Sequence, residues 1–123
     1  MRDFLAITKA LSDETRVRLL LALREGELCV CQAIDLLGLA PSTVSRHLEV
    51  LYQARLVDRR KEGRWHYYRL VGREGPPMVR EALRWVRRSL ENDGTIQRDA
   101  QTLEGVLEKD VKELCACYNN GKG

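Results

Sequence analysis

The sequence predicts a mainly α-helical protein with one β-hairpin, and three observations support this fold class. Apolar residues recur at helical spacing through most of the 123 residues. One stretch, residues 56–71, is rich in strand-forming side chains around a turn that contains glycine. Glycine and proline stand where helices are expected to end or begin. A chain of this length fits one domain with an appended element.

Four short helices are predicted in the first half of the chain. Their approximate ranges are 2–11, 12–24, 28–38 and 41–54. Gly38 stops the third helix, and Pro41 lies in the first turn of the fourth, where proline is tolerated. The fourth helix has an apolar face of Val44, Leu48 and Leu51, and its opposite face is polar. Two short helices joined in this way are typical of a helix-turn-helix, although a generic helix pair would show the same pattern.

A β-hairpin with a basic tip is predicted to follow the helix pair directly. Strand-like residues 56–60 and 65–71 flank the turn Lys61-Glu62-Gly63-Arg64. Together with the helix pair, this hairpin predicts a winged helix-turn-helix. A helix over 78–91 follows, and an added C-terminal helix over about 95–114 has a narrow apolar seam typical of a helix–helix contact.

The charged residues are unevenly distributed along the chain. Residues 41–73 carry eight Lys and Arg against three acids, a local charge of +5, whereas residues 93–123 carry four against six, a local charge of −2. A basic middle suits a nucleic-acid-binding segment, although a solvated surface would give the same distribution. The chain has no apolar run of about 18 residues and no signal-peptide pattern, so we expect no membrane partner and a cytoplasmic location.

Seven residues are candidate DNA contacts. Those of the fourth helix lie in its first turns, the part that enters the major groove in helix-turn-helix proteins. Hydroxyl groups can bond phosphates or base edges, and an arginine can make a bidentate contact with guanine. The seven are Ser42, Thr43, Ser45, Arg46 and His47 in the fourth helix, and Lys61 and Arg64 at the hairpin tip. For His47 a second interpretation, a hydrogen-bonded structural residue, stays open.

The four cysteines form two pairs with the same spacing, Cys29 with Cys31 and Cys115 with Cys117. In the cytoplasm thiols stay reduced, so such pairs indicate metal ligands or redox groups rather than structural disulfides. Deprotonated cysteine is a ligand for soft ions. In a regular helix, however, residues i and i+2 do not face each other. Binding of one ion by Cys29 and Cys31 is therefore expected to distort the start of the third helix, and this strain would reach the fourth helix that packs on it.

Four motifs, in their order along the chain, resemble the ArsR/SmtB family of metal-responsive repressors. They are residues 11–20 (Leu-Ser-Asp-Glu-Thr-Arg-Val-Arg-Leu-Leu), 27–31 (Glu-Leu-Cys-Val-Cys), 42–48 (Ser-Thr-Val-Ser-Arg-His-Leu) and 63–70 (Gly-Arg-Trp-His-Tyr-Tyr-Arg-Leu). The resemblance spans roughly residues 3–92 and implies a homodimeric winged-helix repressor. Its first helix and the helix after the hairpin would form the dimer interface, and two recognition helices would reach a palindromic operator in double-stranded DNA. The implied organisation is a DNA-binding and dimerisation domain over residues 1–93, followed by a C-terminal helix and cysteine-bearing tail over residues 94–123.

The motif at residues 27–31 resembles that of the branches that sense arsenic and antimony or cadmium and lead. The resemblance implies release from DNA when As(III) or Sb(III) binds cysteine thiolates. The arsenic branch often has a third cysteine where this chain has Ile34, so Cys115 or Cys117 is expected to supply the third thiolate, from either subunit. A Cd(II), Pb(II) or Zn(II) sensor that uses all four thiols is an alternative, and so is an independent or incidental tail pair. The zinc and cobalt site of related sensors is not expected, because residues 78–91 contain no His or Asp.

Two further alternatives remain open, of which the first needs no inducing ion and the second needs no DNA. One is a thiol redox switch in which a disulfide replaces the ion. The other, from a different class, is a thiol metal carrier or thiol enzyme that does not bind DNA. The chain has no C-x-x-C in a βαβ context and no Gly-rich phosphate loop, so we do not expect an enzyme. The basic hairpin distinguishes a DNA-binding protein from a carrier.

Overall fold

The computed structural model describes residues 1–121 of the chain, and the side chains of residues 1–118. Its elements, in chain order, are α1 (Arg2–Ala10), α2 (Glu14–Ala22), a 3₁₀ helix (Leu23–Glu25), β1 (Leu28–Cys29), α3 (Val30–Leu37), α4 (Pro41–Gln53), β2 (Val57–Glu62), β3 (Trp65–Leu70), α5 (Pro77–Leu90), α6 (Gly94–Glu108) and α7 (Val111–Gly121). This mainly α architecture with a β-hairpin confirms the predicted fold class. Within residues 1–121, no helix is long and apolar enough to cross a membrane.

The helix-turn-helix consists of α3 and α4, as predicted. Gly38 ends α3 in the left-handed region, with a φ of 68°, which glycine adopts without a steric penalty. Helix α4 begins at Pro41, because the first turn of a helix does not need the N–H that proline lacks. The apolar face of α4 is buried in the core through Val44, Leu48 and Leu51. Its polar face is therefore directed outward.

A third strand, β1, is added to the hairpin. It pairs antiparallel with β3, with Leu28 opposite Tyr68 and Cys29 opposite Tyr67, and the strand order is β1–β3–β2. The prediction that the third helix starts at Leu28 was wrong, because pairing with β3 keeps this segment extended and α3 begins only at Val30. Leu28 and Tyr68 are 40 residues apart, and a contact between residues so distant in sequence leaves no signal in the local hydrophobic periodicity.

The hairpin of β2 and β3, called the wing below, has a tighter turn than predicted. Strand β2 extends to Glu62, which lies opposite Trp65 at the start of β3. The turn therefore contains two residues, Gly63 and Arg64, and Gly63 adopts a φ of 62°. Lys61 belongs to β2 rather than to the turn. Both basic candidates of the wing nevertheless remain near its tip.

The C-terminal segment forms two helices rather than the single predicted helix. The backbone is extended at Lys109, with φ −78° and ψ 149°, and the Lys112 N–H donates a hydrogen bond of 2.9 Å to the side chain of Asp110. Asp110 thus caps the start of α7. Asp110 followed three residues later by Glu113 is a capping-box pattern that marks a helix start. The apolar seam continues across this pattern and therefore predicted one uninterrupted helix. After this break, α7 packs against α3.

Helices α6 and α7 share the hydrophobic core of the preceding helices. Leu103, Val106, Leu114 and Cys115 are buried in the same cluster as the core residues of α1 to α4. An ion pair between Arg18 of α2 and Asp99 of α6 also joins the two parts of the chain. The described side chains of α6 and α7 therefore complete the core of the winged unit.

Candidate metal centre and nucleic-acid interface

Three cysteine side chains meet in the interior of the molecule. The Sγ atoms of Cys29, Cys31 and Cys115 all lie within 4.8 Å of one another, and those of Cys29 and Cys115 are 3.4 Å apart. All three residues are buried. Sulfur ligands about 2.3 Å from a tetrahedral metal ion are roughly 3.8 Å from one another. The three side chains, called the thiol cluster below, therefore already lie near the spacing that one soft ion requires.

The first two thiols converge because Cys29 lies outside the helix. Cys29 is the N-cap of α3, with an extended backbone (φ −71°, ψ 148°), whereas Cys31 is in the first turn. The N–H of Cys29 donates a hydrogen bond of 2.8 Å to the side-chain carbonyl of Gln32, which stabilises this corner. The premise that Cys29 and Cys31 both lie in a regular helix was consequently wrong, and a distortion on ion binding stays a prediction. A change from strand to helix between the two cysteines brings both sulfur atoms together with ordinary backbone torsions.

The third thiol, Cys115, comes from α7, which packs on α3. Leu114 and Cys115 are buried in the core, and Asp35 of α3 accepts hydrogen bonds of 2.8 Å from both Lys109 and Tyr118. The bond from Lys109 holds the pKa of Asp35 below its usual value, so the carboxylate is charged. Sequence reasoning missed this arrangement, because the partners are 74 and 83 residues from Asp35 and no local pattern connects them.

Cys117 lies apart from the thiol cluster. It is exposed on α7, two residues after Cys115, and residues at this spacing point to different sides of a helix. Of the two tail thiols, the structure brings Cys115 to the first pair. Among residues 1–118, whose side chains are described, no fourth thiol joins the cluster. The four-thiolate arrangement is thus not assembled in this conformation.

Burial keeps the thiol cluster protonated at neutral pH. Loss of solvation raises the pKa of Cys29 and the pKa of Cys115 to about 11, and it also raises the pKa of Cys31. A divalent cation that binds these sulfur atoms must therefore displace their protons.

A cavity of about 350 Å³ lies between the first cysteine pair and the elements that carry the candidate DNA contacts. Cys29 and Cys31 line one part of it, Ser45 of α4 lines another, and Arg59 and Arg64 line the wing side. Two of the three buried thiol residues, Cys29 and Cys31, therefore border a cavity on the side of α4 and the wing.

Five of the seven candidate DNA contacts are exposed. Ser42, Ser45 and Arg46 are exposed on α4, and Lys61 and Arg64 are exposed on the wing. Among the described side chains, neither Lys61 nor Arg64 has an ion-pair partner. These cations are available for phosphate groups, which an exposed basic side chain binds without regard to sequence.

Thr43 and His47 are less accessible than the other candidates on α4, since both are partly buried. Nδ1 of His47 lies 3.2 Å from Nη1 of Arg16 and 3.8 Å from a carboxylate oxygen of Asp13. Arg16 in turn donates hydrogen bonds to backbone carbonyl groups at the end of α1. His47 thus joins α4 to the corner between α1 and α2, which supports its structural interpretation. A DNA contact by His47 stays a prediction.

Two arginines of the basic segment have partners inside the molecule. Arg59 donates a hydrogen bond of 2.6 Å to Glu49 of α4 and lies 3.8 Å over the ring of Tyr52. Arg60 donates two hydrogen bonds to Glu27, and these lower the pKa of that carboxyl group. Glu49 is already counted in the local charge of +5, but Glu27 lies outside residues 41–73. Its pairing with Arg60 therefore lowers the positive charge that the segment offers to a partner.

Several proteins of similar sequence carry the names of transcriptional regulators. The family model described as bacterial regulatory protein, arsR family, matches residues 13–59. Arsenic resistance transcriptional regulator ArsR2 from Pseudomonas putida is 34% identical over 112 residues, which cover 90% of this chain and 95% of that protein. A cadmium resistance transcriptional regulatory protein CadC homolog from Staphylococcus aureus is 38% identical over 81 residues, 65% of this chain and 67% of its own. Matches to two other regulators named for arsenic resistance span only 58% and 54% of their lengths.

A solved structure with a similar fold is the homodimeric winged helix-turn-helix DNA-binding domain of a possible ArsR-family transcriptional regulator from Mycobacterium bovis. The TM-score is 0.63 at 27% sequence identity, and the match covers 76% of this chain and 82% of that one. The predicted winged helix-turn-helix is thereby confirmed.

Proposed function

Because this chain belongs to the ArsR family of bacterial regulatory proteins, we propose that it is a homodimeric transcriptional repressor that leaves its operator DNA when As(III) or Sb(III) binds the thiol cluster. The observation that carries the proposal is the convergence of three buried sulfur atoms beside α4 and the wing. In this proposal the ion is the inducer, and Cys29, Cys31 and Cys115 are its ligands.

Three thiolates suit an ion that forms three bonds. As(III) has a lone pair in addition to three bonds, so three sulfur ligands complete its coordination. Arsenous acid and three thiols give one tris-thiolate and three water molecules, with no net release of protons. Cd(II), Pb(II) or Zn(II) would instead release one proton from each thiol and would take a further ligand from solvent or from Cys117. Counting the protons released per bound ion therefore distinguishes the two classes of inducer.

The pairing of β1 with the wing supports a route from the thiol cluster to DNA. Cys29 belongs to β1, which is hydrogen-bonded to β3. An ion that draws three sulfur atoms together shifts the corner between β1 and α3, and the wing follows because its inner strand is bonded to β1. Release requires that the ion bind the DNA-free conformation more tightly than the DNA-bound one, and this difference in affinity sets the extent of release.

Exposed apolar side chains on α1 and α5 support the dimer. Phe4 and Leu5 on α1, and Met78 and Trp85 on α5, are exposed, and Trp85 is 66% exposed. Helices α1 and α5 are in contact, and we propose that their exposed apolar side chains form one patch. Apolar patches of this kind mark interfaces. A twofold dimer through this region would present two copies of α4 to half-sites roughly 34 Å apart.

Fluorescence anisotropy with a DNA fragment selected by the protein from a random library tests the proposal. The wild type is expected to bind this fragment and to lose at least about tenfold in affinity when As(III) is added, within the usual range of coupling between two sites. Single replacements Cys29→Ser, Cys31→Ser and Cys115→Ser should keep DNA binding and lose the response. Cys117→Ser is the matched control and should respond as the wild type does. If no thiophilic ion releases the wild type from DNA, the proposal that such an ion is the inducer is refuted. If the wild type binds no DNA, the metal-carrier alternative is favoured.

A thiol redox switch is a second candidate, favoured by the 3.4 Å separation of the Cys29 and Cys115 sulfur atoms. Hydrogen peroxide would oxidise the two thiols to a disulfide about 2.05 Å long. The two thiol protons and two electrons would reduce the peroxide to two water molecules. DNA release by peroxide, with recovery in dithiothreitol and loss in Cys115→Ser, would establish this function. Release by As(III) without any response to peroxide would reject it.

A further inference from the structure

We propose that Asp35 is a positioning residue of the inducer site: it holds α7 so that Cys115 meets Cys29 and Cys31. This inference rests on the proposed function, because it names the residue that completes that site. Asp35 does not bind the ion, and its effect is transmitted through α7.

Two side-chain contacts join α3 and α7 one after the other along the helices, and Asp35 makes the second. Cys31 and Asp35 are four residues apart on α3, and Cys115 and Tyr118 are three apart on α7, so each pair shares one helix face. At the first contact, the sulfur atoms of Cys31 and Cys115 lie within 4.8 Å of each other. At the second, the Tyr118 hydroxyl donates a hydrogen bond of 2.8 Å to Oδ1 of Asp35. The hydrogen bond to the Asp35 carboxylate therefore sets the register of α7 against α3 in which the Cys31 and Cys115 sulfur atoms meet.

The other carboxylate oxygen of Asp35 holds the start of the same segment. Nζ of Lys109 donates a hydrogen bond of 2.8 Å to Oδ2, and Lys109 is the residue at which the chain leaves α6. One side chain thus binds both ends of the stretch that carries Cys115. The Asp35 side chain is only 16% exposed, so these hydrogen bonds are better shielded from solvent than those of a surface ion pair.

Helix α7 depends on contacts of this kind. It has 11 residues, and a helix this short is marginal in water on its own. Its buried side chains are Leu114 and Cys115, with Val111 and Tyr118 partly buried, among the residues whose side chains are described. Without the hydrogen bonds to Asp35, α7 samples positions in which Cys115 is away from the first pair. Bound As(III) then keeps two sulfur ligands and retains an oxygen ligand in place of the third.

Titration of Asp35→Asn with As(III) tests the inference. Binding is followed by sulfur-to-arsenic charge-transfer absorbance, and the number of As–S bonds is counted by X-ray absorption spectroscopy. The wild type is expected to show three As–S bonds. Asp35→Asn is expected to show about two and to bind As(III) about 10- to 100-fold more weakly, the usual range for residues that orient metal ligands. Tyr118→Phe, which removes one of the two hydrogen bonds and keeps the ring, should show a smaller loss.

Asp99→Asn is the matched control. Asp99 accepts hydrogen bonds of 2.8 and 2.9 Å from Arg18, and its side chain is 13% exposed, so it resembles Asp35 in burial and pairing. Its ion pair, however, joins α6 to α2 and not α7 to α3. Asp99→Asn should lower the melting temperature and keep three As–S bonds. If Asp35 had only a structural role, the two variants would behave alike, and that result overturns the inference.

A double-mutant cycle with Cys115→Ser shows whether Asp35 acts through that thiol. In the Cys115→Ser background, Asp35→Asn should cause no further loss of As(III) affinity. An equal loss in both backgrounds, or three As–S bonds at wild-type affinity in Asp35→Asn, overturns the inference and leaves the proposed function standing. If Asp35→Asn does not fold, Tyr118→Phe takes its place in the cycle with the same criteria. A wild type that binds no As(III) refutes the proposed function and this inference together.

Discussion

The carboxylate of Glu27 accepts two hydrogen bonds from the guanidinium group of Arg60, at 2.8 and 2.9 Å. Arg60 lies opposite Tyr67 in the wing, and Tyr67 lies opposite Cys29 in β1, so this row crosses all three strands. The guanidinium group is also 4.4 Å from the centre of the Tyr67 ring. Since Glu27 is two residues before Cys29, a movement of Cys29 can reach β2 both through the backbone pairing and through this ion pair.

Glu27→Gln is expected to weaken the coupling between As(III) and DNA with little effect on stability. Both partners are partly exposed to solvent, which screens the ion pair, so we expect it to contribute little to folding. We expect the coupling free energy, obtained from DNA affinities with and without As(III), to fall by about 0.5–2 kcal/mol. Glu62→Gln is the control, because Glu62 is a second and more exposed partner of Arg60, at 3.4 Å. Coupling that is the same in Glu27→Gln and the wild type would contradict this route.

Arg46→Ala is expected to remove sequence-specific DNA binding without unfolding the protein. Arg46 is exposed on α4, and a bidentate arginine–guanine contact contributes about 1–3 kcal/mol of discrimination. Affinity for the selected fragment should fall by roughly 10- to 100-fold, whereas affinity for a scrambled fragment should change much less. Unchanged preference for the selected fragment would show that Arg46 does not read a base.

Lys61→Ala and Arg64→Ala are each expected to weaken binding to all DNA sequences by a similar factor. A phosphate contact releases a condensed counterion, so each replacement should reduce the slope of log affinity against log salt concentration by about 1. Arg98→Ala on α6 is the control, since it removes an exposed cation from outside the proposed interface. A slope that responds equally to Arg98→Ala would mean that overall charge, and not the wing, determines the effect.

The free energy of unfolding is expected to decrease above pH 9. In the folded protein the pKa values of Cys29 and Cys115 are raised from 9.0 to about 11, so the unfolded chain loses these protons first as the pH rises. These groups leave the stability nearly unchanged below pH 9 and reduce it between pH 9 and 11, by on the order of 2 kcal/mol for each thiol. Urea unfolding at a series of pH values measures the decrease.

The matched controls for this pH dependence are two serine variants. The double variant Cys29→Ser/Cys115→Ser should show a shallower decrease above pH 9, whereas Cys117→Ser, which removes an exposed thiol, should follow the wild type. Identical slopes in the double variant and the wild type would show that other groups cause the decrease.

The exposed DNA candidates could be predicted from local patterns, and the environment of His47 could not. Apolar positions of α4 recur at helical spacing, so the burial of Val44 and Leu48 directs Ser45 and Arg46 outward. His47 lies at the border of the two faces, where periodicity does not decide its role. Its neighbour Arg16 is 31 residues away and could be identified only in three dimensions.

The sequence by itself determined the helix-turn-helix, the basic hairpin and the choice of Cys29 and Cys31 as candidate ligands. Each of these depends on periodicity, turn residues or side-chain chemistry within a few neighbouring positions. Only the tertiary structure decided that Cys29 lies in a strand, that Cys115 rather than Cys117 adjoins it, and that Asp35 holds α7. Cys29 and Cys115 are 86 residues apart, and the packing and burial that bring them together leave no periodic pattern in the sequence near either one.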